Sequence, residues 1–137
     1  MIKPTILVVD DDKEFTDIFV DFLNKSFNAE IILKDNANDA IKVIDKQRVD
    51  VLFQDIRLPN GPNGLAVVRH IKEVGKSNDI FVYIISRWHN NDSYDIQMRD
   101  LKVNYLPQPI SFITVRSLLN REFERSASKF DYKKVRG

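Results

Sequence analysis

Two short apolar runs in this chain each stop abruptly on acid. Residues 6–9, Ile-Leu-Val-Val, run into Asp10, Asp11 and Asp12, and residues 51–53, Val-Leu-Phe, lead through Gln54 to Asp55. Short segments with no polar face suit strands buried in a parallel sheet, because helices cover both sides of such a sheet. Open parallel sheets gather their chemistry at the C-terminal edge of the strands. Past Asp55, the residues Pro59, Gly61, Pro62 and Gly64 force a loop. Two such strands lying side by side would carry several carboxylates to one point.

The rest of the chain alternates in the same manner. Thr5 to Val9 reads as a first strand, and Phe15, Ile18, Phe19, Phe22 and Leu23 then recur at helical spacing, with Asp11 or Asp12 as cap. Ala29 to Leu33 reads as a second strand, and Asn36 or Asn38 caps a helix that turns Ala37, Ala40, Ile41 and Ile44 inward. Val51 to Gln54 is the third strand. Leu65, Val68, Ile71, Lys72 and Val74 mark a third helix that ends at Gly75. Ile80 to Ile85 has the strongest β composition of the chain. The polar stretch from Arg87 to Asp100 is weakly patterned and reads as a fourth helix. Val103 to Leu106 forms a short fifth strand closed by Pro107, Gln108 and Pro109, and Val115, Leu118, Leu119 and Phe123 mark a last helix.

Five strands alternating with helices predict an α/β, flavodoxin-like doubly wound (βα)5 fold. Its five-stranded parallel sheet takes the order 2-1-3-4-5, which sets strands one and three side by side at the switch point. Residues 1–126 are expected to form one domain, and residues 127–137 a basic tail or the start of a linker.

Composition removes several alternatives. A formal charge of +1 argues against binding nucleic acid through bulk charge. Without cysteine there is neither a disulfide framework nor a thiolate metal site. The N-terminal apolar stretch is too short for a signal peptide, and no run approaches the roughly 18 apolar residues needed to span a bilayer. The expectation is a cytoplasmic protein with no direct contact to nucleic acid or membrane.

Asp10, Asp11 and Asp55 converging would repel one another. A hard divalent cation relieves the repulsion, and oxygen donors suit Mg²⁺. The same ion would make Asp55 a usable phosphoryl acceptor, since carboxylates can act as nucleophiles that form aspartyl-phosphates. Ser86, at the end of the fourth strand, can donate its hydroxyl to a phosphoryl oxygen. Taken singly, an Asp pair after a strand is most often a helix cap and a lone Asp a turn former. Their joint order and spacing favour a site.

With these residues in view, the sequence resembles the receiver domain of two-component response regulators, and is similar to the chemotaxis response regulator. ILVVDDD matches the family's first strand with its acidic pair on Asp10 and Asp11, and DVLFQDIRLP followed by GL matches the phosphoacceptor segment around Asp55. The resemblance implies Mg²⁺ on Asp10, Asp11, Asp55 and the backbone carbonyl of Arg57. It places Ser86 at the hydroxyl position and Tyr105 at the aromatic switch position. It also implies a histidine kinase or phosphotransfer protein as phosphoryl donor. An output domain or partner protein would read the face of the fourth helix, fifth strand and fifth helix. The implied role is a signalling phosphoacceptor rather than an enzyme, with at most slow self-phosphorylation and self-dephosphorylation.

The chain departs from the family pattern in three places. Gln108 stands where the family carries a lysine, Arg87 and Trp88 follow the hydroxyl position, and the loop between Pro59 and Gly64 is one residue longer. Gln108 keeps open a second reading, a pseudo-receiver that binds partners independently of phosphorylation. A phosphatase of the haloacid dehalogenase type also uses an Asp at a strand end, but Asp10-Asp11-Asp12-Lys13-Glu14 lacks the Thr or Val its motif wants. No glycine-rich phosphate loop supports nucleotide binding.

Overall fold

The computed structural model of the protein describes residues 2–58, 61–85, 99, 101, 103–126 and 129–134. Its strands are β1 (Thr5–Val9), β2 (Glu30–Lys34), β3 (Val51–Gln54), β4 (Phe81–Ile84) and β5 (Asn104–Tyr105). They form one sheet in the order β2-β1-β3-β4-β5, and every pair is parallel. This is the expected doubly wound order, with β1 and β3 adjacent.

Alternation along the strands builds two cores. Ile6, Val8, Val51 and Phe53 face α1 (Lys13–Ser26) and the C-terminal helix (Phe112–Arg125). Leu7, Val9, Leu52 and Ile84 face α2 (Ala37–Lys46) and α3 (Gly64–Glu73). On the first side Phe19 meets Phe53 edge-on at 5.0 Å, and Phe53 stacks on Tyr83 at 5.4 Å. Such pairs add to the hydrophobic burial that holds α1 on the sheet. Asp12 caps α1 by accepting from the Phe15 N–H, and Asn36 caps α2 by accepting from Asp39. Gly75, at φ 75°, follows the end of α3, a conformation in which a side chain would be strained.

Several sequence expectations shift. β2 begins one residue later than expected, although Ala29 still packs in the core. β5 is reduced to two paired residues. Ile18, expected on the buried stripe of α1, is 62 % exposed. The apolar arc of α1 is therefore narrower than its sequence implied, running through Phe15, Phe19, Phe22 and Leu23. The expected fourth helix lies largely outside the described residues, of which Arg99 and Leu101 are helical.

Segment 129–134 packs onto the domain. Phe130 bridges Ile2 in parallel and Lys133 bridges Phe27 in antiparallel fashion. The Asn28 N–H donates to the Tyr132 carbonyl at 2.8 Å, and the Asn28 side chain to the Asp131 carbonyl at 2.7 Å. Phe130 and Tyr132 are buried against Phe123 and share its cluster with Phe27. Among the described residues no helix is long and apolar enough to cross a membrane.

Candidate functional site: an acidic cluster at the sheet edge

β1 and β3 pair with Val9 opposite Gln54, so the next residue of each strand leaves the sheet at the same level. The Asp55 N–H donates to the Val9 carbonyl at 2.8 Å, and the Asp10 N–H to the Lys34 carbonyl at 3.1 Å. Both carboxylates are thereby held by backbone on either side of the switch point. Asp10 is 7 % exposed, and its Oδ1 accepts from the Asp12 N–H at 2.9 Å. Asp11 is exposed and Asp55 half-buried. Asp10, Asp11 and Asp55 each offer a carboxylate oxygen, and those three oxygens lie within 4.8 Å of one another. The structure thus brings together the three acids picked out in the sequence.

The crowding has an electrostatic signature. Asp55 is pushed up to about 7, first by burial, then by the negative charge of Asp10, with a smaller push from Asp11. Backbone N–H groups of Arg57 and Ile56 pull the other way, and the Arg57 N–H lies 3.2 Å from Asp55 Oδ1. Among the described residues, both side-chain charges acting on Asp55 are acids. Three hard oxygen donors at this spacing, with their repulsion unrelieved, fit a small divalent cation.

Two residues behind Asp55 were missed as part of the site. Gln54 is fully buried, and its Nε2 donates to the Asp55 carbonyl at 2.8 Å. Its Oε1 is buried and has no hydrogen-bond partner among the described residues. Gly64 opens α3 directly against this point. A Cβ there would stand 1.9 Å from the Asp55 carbonyl oxygen and 2.9 Å from Gln54 Nε2, so the helix can approach only because residue 64 has no side chain. The polar residue ending the apolar run Val51–Gln54 was the available signal for Gln54. In sequence, Gly64 reads only as a loop residue and as part of the GL that follows the phosphoacceptor segment, with no role attached to it.

Fewer residues on the opposite side of the cluster fall among those described. Tyr105 in β5 is half-buried, pairs with Ile84 and packs against the α2–α3 core. Gln108 is half-buried, and the Gln108–Pro109 peptide is cis. Ser86, Arg87, Trp88 and His89 lie outside the described residues, as does Pro59. His70 joins α3 to α2 through a 2.7 Å contact of its Nε2 with Asp45.

Comparison with known proteins agrees with this geometry. Residues 6–120 match the family model described as the response regulator receiver domain. The chain is 28 % identical over 124 residues to the DNA-binding transcriptional regulator NtrC of Proteus hauseri, covering 88 % of this chain and 25 % of that protein. It is 35 % identical over 68 residues to the regulatory protein VanR of Enterococcus faecium, covering 50 % of this chain and 29 % of the relative. The chain therefore spans less than a third of the length of either of these two relatives. Among solved structures, the N-terminal domain of an uncharacterized protein from Wolinella succinogenes superposes with a TM-score of 0.82 at 25 % identity, covering 94 % of this chain and 99 % of that one. The signal receiver domain of a DNA-binding response regulator from Colwellia psychrerythraea gives 0.78 at 24 % identity, covering 89 % and 99 %.

Proposed function

Because the chain belongs to the family of response regulator receiver domains, we propose that Asp55 is its phosphoacceptor and that Asp10, Asp11, Asp55 and the Arg57 carbonyl hold Mg²⁺. The observation that carries this reading is the convergence of three carboxylates from two adjacent strand ends. In the reaction, a carboxylate oxygen of Asp55 attacks the phosphorus of a phosphohistidine on a kinase or phosphotransfer protein. The bond from phosphorus to the histidine nitrogen breaks, and that nitrogen keeps the electron pair. When bound, Mg²⁺ neutralises charge on the transferring group and favours the ionised form of Asp55. The Asp55 backbone does not need to reorganise, because the Val9 carbonyl, Gln54 and the start of α3 already fix it. Ser86 would donate to a phosphoryl oxygen, and Tyr105 would report the change to a partner or output domain.

Gln108 favours a second reading for the readout. A lysine there would meet the phosphoryl group with a full charge, whereas an amide donates at most a neutral hydrogen bond, about half as strong. Phosphorylation would then bias the domain's two states weakly, because a ligand shifts an equilibrium only by its differential affinity. In the limit the domain acts as a pseudo-receiver that binds its partner in either state.

The test is incubation with Mg²⁺ and acetyl phosphate, followed by intact-mass measurement. The expected product gains one phosphoryl group, and Asp55→Asn gains none. Equal labelling of wild type and variant would assign the acceptor elsewhere.

A further inference from the structure

Asp12 opens α1 at the acidic edge, and the 14 residues of that helix carry the chain about 20 Å away at 1.5 Å per residue. At the far end a groove of about 440 Å³ lies between the end of α1, the C-terminal helix and segment 129–134. Four cations line it: Lys25, Arg116, Lys133 and Lys134. Ser26 and Asn120 add a hydroxyl and an amide, and among the described residues no carboxylate lines it directly, the nearest shown being Glu124, which accepts from the hydroxyl of lining Tyr132 at 3.3 Å. In a chain with a formal charge of only +1, this is a marked local excess. We propose that this groove is a binding site for a small phosphorylated ligand carrying at least two phosphoryl charges.

Part of the groove is pre-organised. The Arg116 guanidinium donates to Ser26 Oγ at 3.3 Å and lies 5.4 Å from the centre of the Phe22 ring. A guanidinium so held loses little freedom when it grips a phosphoryl group. The bridge between Phe27 and Lys133 fixes the backbone that presents the two tail lysines. Buried Phe27 and Tyr132 supply the floor.

The bland alternative is a set of solvated lysines. It accounts well for Lys25, which pairs with Asp21 at 2.9 Å on an exposed helix face. Lys25 also answers the negative end of the α1 dipole. Arg116, Lys133 and Lys134 are exposed as well; what the solvated reading leaves without a reason is that three separate segments bring their cations to one concave surface. Lys25 can also be recruited, since an exposed pair holds it weakly.

Size and charge select the class of occupant. The volume falls within the roughly 300–1,000 Å³ of small-molecule sites. The near-neutral total charge does not suit a long polyanion that binds through bulk electrostatics. Segment 129–134 lies beyond the part of the chain that matches the family, residues 6–120, so Tyr132, Lys133 and Lys134 are added to the groove from outside the matched span. A ligand bridging Arg116 to Lys133 and Lys134 would also tie that segment to the helices.

The test is calorimetric titration of the whole chain with sodium pyrophosphate without Mg²⁺, repeated with sodium sulfate and with a hexaglutamate peptide. The expected result is saturable 1:1 binding of pyrophosphate that weakens at least about tenfold in Lys133→Gln/Lys134→Gln and in Arg116→Gln. Thermal melts of the free variants close to wild type would show that the fold is intact. As a second arm, Asp55→Asn should bind pyrophosphate as wild type does, which separates this site from the acidic cluster. Absence of saturation up to about 10 mM, equal affinity for sulfate, or affinity unchanged by the substitutions would overturn the proposal. Tighter binding of hexaglutamate would overturn it in favour of an acidic protein segment.

Discussion

The two flanks of Asp55 are built to different standards. On the β1 side, five fully buried residues lead into Asp10 and Asp11, and backbone bonds hold both strand ends. On the β5 side the strand is two residues long, one exposed and one half-buried, and it leads to Gln108 instead of a lysine. The first flank supplies negative charge in rigid positions, and the second supplies no cation at the family's position to answer it. Under the proposed function, collecting a cation and a phosphoryl group would thus be separable, in this fold, from transmitting their arrival.

Substitutions on the strong flank should have the largest effect. Asp10→Asn removes the most buried acid of the cluster and is predicted to weaken Mg²⁺ binding by about 10- to 100-fold, at least as much as loss of an outer-shell partner does. Asp11→Asn, at an exposed position, should weaken it less. Calorimetric titration would rank the two, and an unchanged affinity in Asp10→Asn would break the comparison at its stronger side.

Next in size is the support behind Asp55. Gly64→Ala would force the start of α3 away from the Asp55 carbonyl, with a predicted cost of about 1–3 kcal/mol from overpacking. Chemical denaturation should show the loss. A stable variant with normal Mg²⁺ affinity would mean that the close approach is not what places the acceptor.

On the weak flank, Gln108→Lys should restore a charge-assisted bond and strengthen the phosphorylation response by about 1 kcal/mol, or roughly fivefold. The readout is the change in the Tyr105 environment by NMR on adding beryllium fluoride with Mg²⁺. A wild type that already switches fully, and gains nothing from the lysine, would show that the two flanks are functionally equal.

The smallest expected effect is on pH dependence. The Asp55 pKa is about 7 in the folded chain, against a reference value of 3.8. Between those values the folded state binds more protons than the unfolded one, so metal-free stability falls as pH rises from about 4 to 7. Solvent reaching the half-buried group screens the size of this slope. Mg²⁺ should flatten it, because the ion replaces the proton. Melting temperatures that rise over this range in Asp55→Asn relative to wild type would fit; parallel curves would show that Asp55 is not strained.

Much of the architecture was legible because it rests on patterns of two and 3.6 residues. The runs at residues 6–9 and 51–53 had no polar interruption, and the acids after them could only fall at the sheet edge. Ile18 was misjudged because helical spacing defines a stripe but not its width, which the sheet beneath it decides. Gly64 and Gln54 were missed for another reason. Their roles come from a close approach between α3 and the end of β3, a property of packing that no one-dimensional pattern encodes. Segment 129–134 carries only two apolar residues two apart, Phe130 and Tyr132, too few to announce a buried stretch.

That segment also sets the order in which the molecule can be completed. Phe130 pairs with Ile2, and Tyr132 closes over Phe123 beside the Phe27 turn, contacts that span almost the whole sequence. Contacts so distant along the chain form late, because a large loop must close before they are made. During synthesis the ribosome delivers residue 2 well before residues 129–134. A nascent chain can therefore assemble its sheet while the rings of Phe27 and Phe123 still lack their lid. Until that segment emerges, the N-terminal end of the sheet is where an unfinished chain would stick to a chaperone or to another unfinished copy.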